Sequence, residues 1–207
     1  MADKIPEMID LVFELDGGTL PAAYPFALWE ALINHVPQLA EERFAGVLPL
    51  RAAENDAGML LPKRAKLVLR LPMALASRAA ALSGQQLGLA QIPLRSGEYS
   101  LRLGKSKLRP IQPYPTLHAR LVTGATDELM FMEDIKTQLS GMAIAAGLIC
   151  GKRHTLSGAR QTIHGYSLVI HDLKPEASLQ LQYAGLGEFR QFGCGIFLPY
   201  KTISGLG

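Results

Sequence analysis

Residues 184–200 read AGLGEFRQFGCGIFLPY: four glycines, one arginine and one cysteine stand ahead of a short apolar run, close to the end of the chain. Gly185 and Gly187 have the first spacing of the dinucleotide fingerprint G-x-G-x-x-G, but Arg190 occupies the position of the third glycine. That fingerprint needs a strand before the loop, a helix after it and an acidic residue about 20 positions on. Here strand-like text follows the loop and the chain then ends, so a Rossmann fold is rejected. The stretch GKRHTLSG at 151–158 has a single glycine ahead of its lysine and is not a P-loop. What remains is a glycine-rich loop joining a short helix to a strand. Glycine allows positive φ and close approach of a ligand to backbone N–H groups, and an embedded arginine adds a planar donor suited to phosphate. A plain helix-to-strand connection would need one glycine. Gly185, Gly187, Gly193, Gly195 and Arg190 are therefore expected to form a ligand loop.

Upstream, MIDLVFEL (8–15) alternates as a half-buried strand, and Asp16-Gly17-Gly18 closes it as a turn. A helix follows, with Pro25 in its first turn, a stripe through Tyr24, Leu28, Ala31, Leu32 and His35, and a stop at Pro37. VLPLRAA (47–53) and GMLLPKRAKLVLRLP (58–72) read as two strands, MALASRAAALSG (73–84) as a short helix, and QQLGLAQIPL (85–94) and YSLRLGKSKLRPI (99–111) as strand text. A β-α-β-β-α-β order is the mark of a ferredoxin-like unit. The second half partly repeats it, with a strand at LHARLVTG (117–124), a helix at 127–145, a strand or hairpin arm at 160–173, a short helix at 174–187 and a final strand at GCGIFLPYK (193–201). The expected fold class is α+β, with tandem ferredoxin-like (RRM-like) halves, the second shortened and carrying the glycine-rich loop. Three prolines in RPIQPYPTL place the join between a domain at 1–113 and a domain at 114–207.

The 207 residues are 48% hydrophobic and 19% charged, enough for a sizeable core without staples. Net charge is only +3, so affinity for a polyanion must come from clustering. Lys105, Lys107 and Arg109 alternate along one strand and so point to one side, while Lys152, Arg153, His154 and Arg160 flank a glycine-bearing hairpin. Neither run contains an acid, which favours a phosphate track over a merely solvated face. Few aromatics are available for stacking, which suits recognition of a stem-loop by shape and phosphate. Two cysteines, no metal-ligand spacing, no signal-like block and no membrane-length apolar run point to a cytoplasmic protein with no cofactor, no metal and no membrane role.

The string GLGEFRQFGCGIFLP, preceded by HGYSLVIHDLKPEASLQLQYA, resembles the C-terminal glycine-rich signature of the CRISPR-associated repeat-processing endoribonucleases, the sixth Cas protein family of the RAMP superfamily. IDLVFELDGGTLPAAYPFALWEALINHVPQL, PYPTLHARLVTG and GKRHTLSG resemble, in order, the first strand and helix, the central strand and the basic hairpin of its short MYXAN-subtype branch. The resemblance implies two ferredoxin-like domains that bind a CRISPR repeat, a stem-loop RNA, and cut it without metal. A 2′-hydroxyl would attack the adjacent phosphate to leave a 2′,3′-cyclic phosphate and a 5′-hydroxyl. It also implies possible partnership with other Cas subunits in an effector complex.

The resemblance names two catalytic candidates, His35 and Tyr24. His35 ends the first helix, the region where many members of the larger family carry a catalytic histidine. Tyr24 aligns with the histidine that precedes this helix in the MYXAN branch, a departure from the pattern. The two share a helix face about 16 Å apart and cannot touch one phosphate together. For His35 the alternative is a helix-end histidine favoured by the macrodipole, and for Tyr24 an aromatic packing at the helix start. His154, among cations, is the better phosphate contact of the remaining histidines. Two other readings stay open: a non-cleaving repeat-binding subunit, which the tyrosine at position 24 makes plausible, and a ferredoxin-like domain that takes a small phosphorylated ligand.

Overall fold

The computed structural model describes residues 5–16, 18–55, 58–89 and 99–200. In β1 (Met8–Leu15), Ile9, Leu11, Phe13 and Leu15 turn to one core while Asp10 and Val12 turn to the opposite face, as a period of two requires. α1 (Tyr24–His35) has Pro25 in its first turn and buries Tyr24, Leu28, Ala31 and Leu32 against that core. A sheet forms from β3 (Gly46–Val47), β6 (Lys66–Pro72), β1, β8 (Ser100–Arg109) and β7 (Gln86–Gly88), antiparallel and in that spatial order. With α1 between β1 and β3, and α2 (Ala76–Ala80) between β6 and β8, the expected ferredoxin-like unit is present.

Proline alters two expected strands. The 47–53 text is interrupted at Pro49, leaving β3 and β4 (Ala53–Asn55), and the 58–72 text divides at Pro62 into β5 (Gly58–Leu61) and β6. Proline has no N–H for the ladder, and here the Pro62 carbonyl accepts the Ala65 N–H across a tight turn. β2 (Gly18–Leu20), β5 and β4 make a small separate sheet. Gly17, the text after Leu89 and Lys201, each part of an expected element, lie outside the described residues.

The C-terminal half repeats the order with β9 (Leu117–Thr123), α3 (Glu128–Gly141), β10 (Gly147–Ser157), β11 (Thr162–His171), α4 (Pro175–Ala184) and β12 (Leu198–Pro199). Its sheet runs β10-β11-β9-β12, the same arrangement as the first. Phe131, Ile135 and Leu139, four apart, carry one face of α3 into the second core. Asp127 caps that helix by accepting the Met130 N–H at 3.0 Å, which contributes about 1 kcal/mol. The two-residue β12 is what shortens this half.

The proline-rich join is stitched down. Ser178 and Gln182, buried polar residues of α4, hold it: the Ser178 hydroxyl accepts the Tyr114 N–H at 2.9 Å, and the Gln182 amide donates to the Gln112 carbonyl at 2.8 Å. Val12, Leu48 and Val68 of the first half meet Ile196 of the second in a small shared core. Among the described residues, no helix is long and apolar enough to cross a membrane.

Candidate RNA-processing site between the two halves

A cavity of about 390 Å³ lies where the start of α1, the hairpin of β10 and β11, β9 and the glycine-rich loop converge. The local folding explains the meeting. Gly158, at the hairpin tip, lacks the Cβ that would sit 2.7 Å from the Phe26 ring, so the tip lies against α1. Phe26 in turn packs on Phe192 of the loop, ring centres 4.5 Å apart. Tyr24 enters the cavity from α1, Arg120 from β9, His154 and Ser157 from β10, and Gly193 and Cys194 from the loop.

The electrostatics sort these groups by role. Tyr24 is 6% exposed and its hydroxyl oxygen accepts the Leu50 N–H at 3.1 Å, leaving the hydroxyl proton free to be donated. Burial raises its pKa above the usual 10, against smaller lowering effects of the Leu50 N–H and of Arg120, so it stays protonated. His154 is half-buried, and burial first, then the cations Arg120 and Lys152, lower its pKa from 6.5. Its imidazole is therefore predominantly neutral at pH 7 and can accept a proton. Cys194 is buried and its thiol is pushed up to about 12, which removes it as a nucleophile.

His35 is not in this cavity. It is exposed at the far end of α1, with its Nδ1 on the Ala31 carbonyl at 2.9 Å. The structure thus brings Tyr24 together with His154 at this cavity and leaves His35 apart from it, as the three helical turns between Tyr24 and His35 require. The six predicted cations lie outside the lining of this cavity. Lys107 stands opposite Val12 and Arg109 opposite Asp10, on the open face of the first sheet, while Lys105, also exposed, sits where the register of β1 and β8 shifts. Arg109 is held to Asp10 at 2.9 Å and remains half exposed. Lys152, Arg153 and Arg160 are exposed on the hairpin arm and turn.

A larger cleft of about 1060 Å³ separates the open faces of the two sheets, and it carries Arg51, Arg64, Lys66 and Arg109. His118 of β9 borders this cleft beside Tyr200, ring centres 5.6 Å apart. Burial, then His154, lowers the pKa of His118.

The glycine-rich loop departs from the expectation. Its glycine N–H groups already donate within the protein: Gly185 to the Leu181 carbonyl, Gly187 to Gln138 Oε1, Gly193 to the Arg190 carbonyl and Gly195 to the Leu121 carbonyl. Arg190 is 5% exposed, and its guanidinium nitrogens are buried without a hydrogen-bond partner. Burial, and then Arg70, pull its pKa down to about 9, against an opposing effect of Asp10. These groups therefore do not present donors to a phosphate. The glycines serve packing instead. At Gly185 and Gly195, both at positive φ, a Cβ would overlap the Arg190 guanidinium and the Leu186 carbonyl respectively. The loop is a wall between the halves, folded tightly enough to close one side of the cavity.

Sequence reasoning missed Arg120 and the buried pair of Asp10 and Arg70. The latter had a signal, a charge in the interior of each of two largely apolar strands, MIDLVFEL and KLVLRLP, whose other charges, Glu14 and Lys66, stand nearer the strand ends. Arg120 had only its alternation with His118 along β9.

Two such halves facing each other across a cleft that carries Arg51, Arg64, Lys66 and Arg109 make a tandem ferredoxin-like architecture, and solved structures share it. An RAMP protein described as binding different RNA substrates superposes with a TM-score of 0.68 at 14% identity, covering 91% of this chain and 98% of that one. A CRISPR endoribonuclease Cse3 bound to 19-nucleotide RNA superposes at 0.54 with 12% identity, over 93% and 98% of the two chains. At those identities they speak for the fold. The family model described as Cas6 Crispr matches residues 9–202, and the CRISPR-associated endonuclease Cas6 of Myxococcus xanthus (strain DK1622) is 35% identical over 193 residues, 92% of this chain and 81% of the relative. The chain belongs to the Cas6 family.

Proposed function

We propose that this protein is an endoribonuclease that cuts CRISPR precursor RNA within its repeats, by attack of a ribose 2′-hydroxyl on the adjacent phosphate and with no metal in the reaction. The observation that carries this reading is the convergence of Tyr24, His154 and Arg120 on one cavity between the halves. Neutral His154 takes the 2′-hydroxyl proton as the O2′–P bond forms. Tyr24 delivers its hydroxyl proton to the 5′-oxygen as the P–O5′ bond breaks, and Arg120 offsets the charge on the phosphorane. The proton held by His154 returns to Tyr24 through solvent, and the products carry a 2′,3′-cyclic phosphate and a 5′-hydroxyl. Lys105, Lys107, Lys152, Arg153 and Arg160 supply the phosphate contacts that hold the RNA across the site. The named activity of the Myxococcus xanthus relative supports the same reaction class.

Incubation with end-labelled repeat RNA in EDTA tests the proposal, with mass analysis of the product ends. A single cut within the repeat, and an upstream fragment one water lighter than its 3′-phosphate form, is the expected result. A shifted complex with intact RNA would instead make the chain a repeat-binding subunit.

A further inference from the structure

We infer that the Asp10–Arg70 pair is a positioning device for the cleavage site, clamping together the two stems of the glycine-rich loop from the opposite half of the molecule. Arg70, on β6, is 2% exposed and Asp10, on β1, is 3% exposed. The Arg70 Nε and Nη2 donate to Asp10 Oδ1 and Oδ2 at 2.8 and 3.1 Å, a forked pairing. The remaining nitrogen, Nη1, crosses to the C-terminal half and donates to the Phe197 carbonyl at 2.9 Å and the Gln182 carbonyl at 3.4 Å.

Those two carbonyls stand on either side of the loop. Gln182 lies in the last turn of α4, just before the first glycine, and Phe197 lies between the last glycine and β12. One guanidinium therefore fixes the separation of the loop's stems, and the loop between them supplies Phe192, Gly193 and Cys194 to the cavity that holds Tyr24 and His154. Arginine is required for this because lysine is a point donor that cannot span a carboxylate and two divergent carbonyls.

Asp10 does more than anchor Arg70. The unpaired Arg190 guanidinium inside the loop interacts unfavourably with Arg70 and favourably with Asp10. Arg109 also shares Asp10 Oδ2, at 2.9 Å. A single carboxylate thus compensates several cations at the boundary of the halves. Loss of Asp10 alone leaves Arg70 and Arg190 buried and facing each other, whereas replacing the pair by apolar groups also removes the Arg70 charge, the larger of the two effects on Arg190, and removes the clamp.

This inference rests on the cavity being the cleavage site, and the experiment separates the two. Asp10→Leu, Arg70→Met, the double variant and Arg70→Lys are compared by thermal melting, by hydrogen exchange of the amides at 185–195, by repeat RNA affinity and by single-turnover cleavage. Asp10→Leu is expected to melt well below the wild type, and the double variant to recover most of that loss, a non-additivity that reports the uncompensated charge. In the double variant the loop amides should still exchange about tenfold faster and the cleavage rate stay about tenfold lower, with affinity within about threefold. Arg70→Lys should show the same faster exchange in a folded protein. A double variant or Arg70→Lys variant with wild-type loop exchange overturns the clamp, as does a cleavage loss that only tracks the unfolded fraction. If the wild-type protein does not cut RNA, the exchange data still decide the clamp and only the functional reading falls.

Discussion

Replacing Gly195 by alanine should destabilise the fold before it affects RNA contact. The backbone there has φ +63°, and an added Cβ overlaps the Leu186 carbonyl, a backbone atom that cannot rotate away. A left-handed conformation costs a residue with a Cβ about 1–2 kcal/mol. Relieving the overlap separates Leu186 from residue 195 and breaks the bond from the Leu186 N–H to the Gly195 carbonyl at 3.3 Å, a further loss of about 1 kcal/mol. The sum, about 2–3 kcal/mol, lowers the melting temperature of a chain this size by about 4–12 °C. Thermal melting followed by circular dichroism measures it, and binding of repeat RNA well below the melting transition gives the second quantity. The affinity of the folded variant should remain within about threefold, because the Gly195 N–H donates to the Leu121 carbonyl and not to a ligand. An unchanged melting temperature together with a large loss of affinity would refute the packing account and restore the loop as an RNA-facing anion site.

The remaining expectations concern the cavity and the cations. His154→Ala should reduce the single-turnover rate by about 100-fold or more with affinity within a few-fold, whereas His35→Ala should cut at close to the wild-type rate. Tyr24→Phe removes the free donor and leaves the Leu50 N–H without its partner, so the rate should fall and the protein lose about 1–3 kcal/mol, read by the melting curve. Because the pKa of His154 is lowered, its base form persists to below pH 6.5 and cleavage is lost as pH falls through that lowered value; Arg120→Met removes one of the lowering charges and should move this acidic limb to higher pH in a single-turnover profile. Repeat affinity should fall steeply with salt, and the double change Lys152→Ala, Arg153→Ala should flatten the log–log slope by about 1–2.

Much of the fold was legible because its elements are written locally. MIDLVFEL became β1 without change of bounds, and Pro25 and Pro37 bracketed α1 as their chemistry demands. The order of the first half followed from periodicity and turn signals, and that of the second did so except for β10, whose text at 147–157 was not read as a strand. The division of the 58–72 text at Pro62 was available to the same reasoning, since a proline in an apolar strand run argues for a break. At the site, His154 stood out among its neighbouring cations, but nothing local said that it would meet Tyr24, which lies 130 positions earlier in the chain.

The glycine-rich stretch shows why the rest was not legible. Four glycines and an arginine are compatible with two opposite arrangements, donors turned outward to a phosphate or backbone drawn inward against another chain segment. Local text cannot choose between them, because the choice depends on what occupies the far side of the loop. Here the far side holds Gly46 of β3, where an added Cβ would sit 2.8 Å from the Arg190 carbonyl and the Ile196 side chain. A glycine 144 positions before Arg190 thus belongs to the same close packing as those beside it. The clamp is written across similar distances: Arg70 reaches Asp10 at a separation of 60 residues and the Phe197 carbonyl at 127. What the sequence does carry is the cost side of such contacts. A charge inside an apolar strand must find a partner when it is buried, and a glycine inside a strand is a candidate for close approach of another backbone. Asp10, Arg70 and Gly46 each fit those descriptions, but so do the exposed Glu14 and Lys66 and the open Gly88, so the text offers candidates for the residues that join the halves without choosing among them.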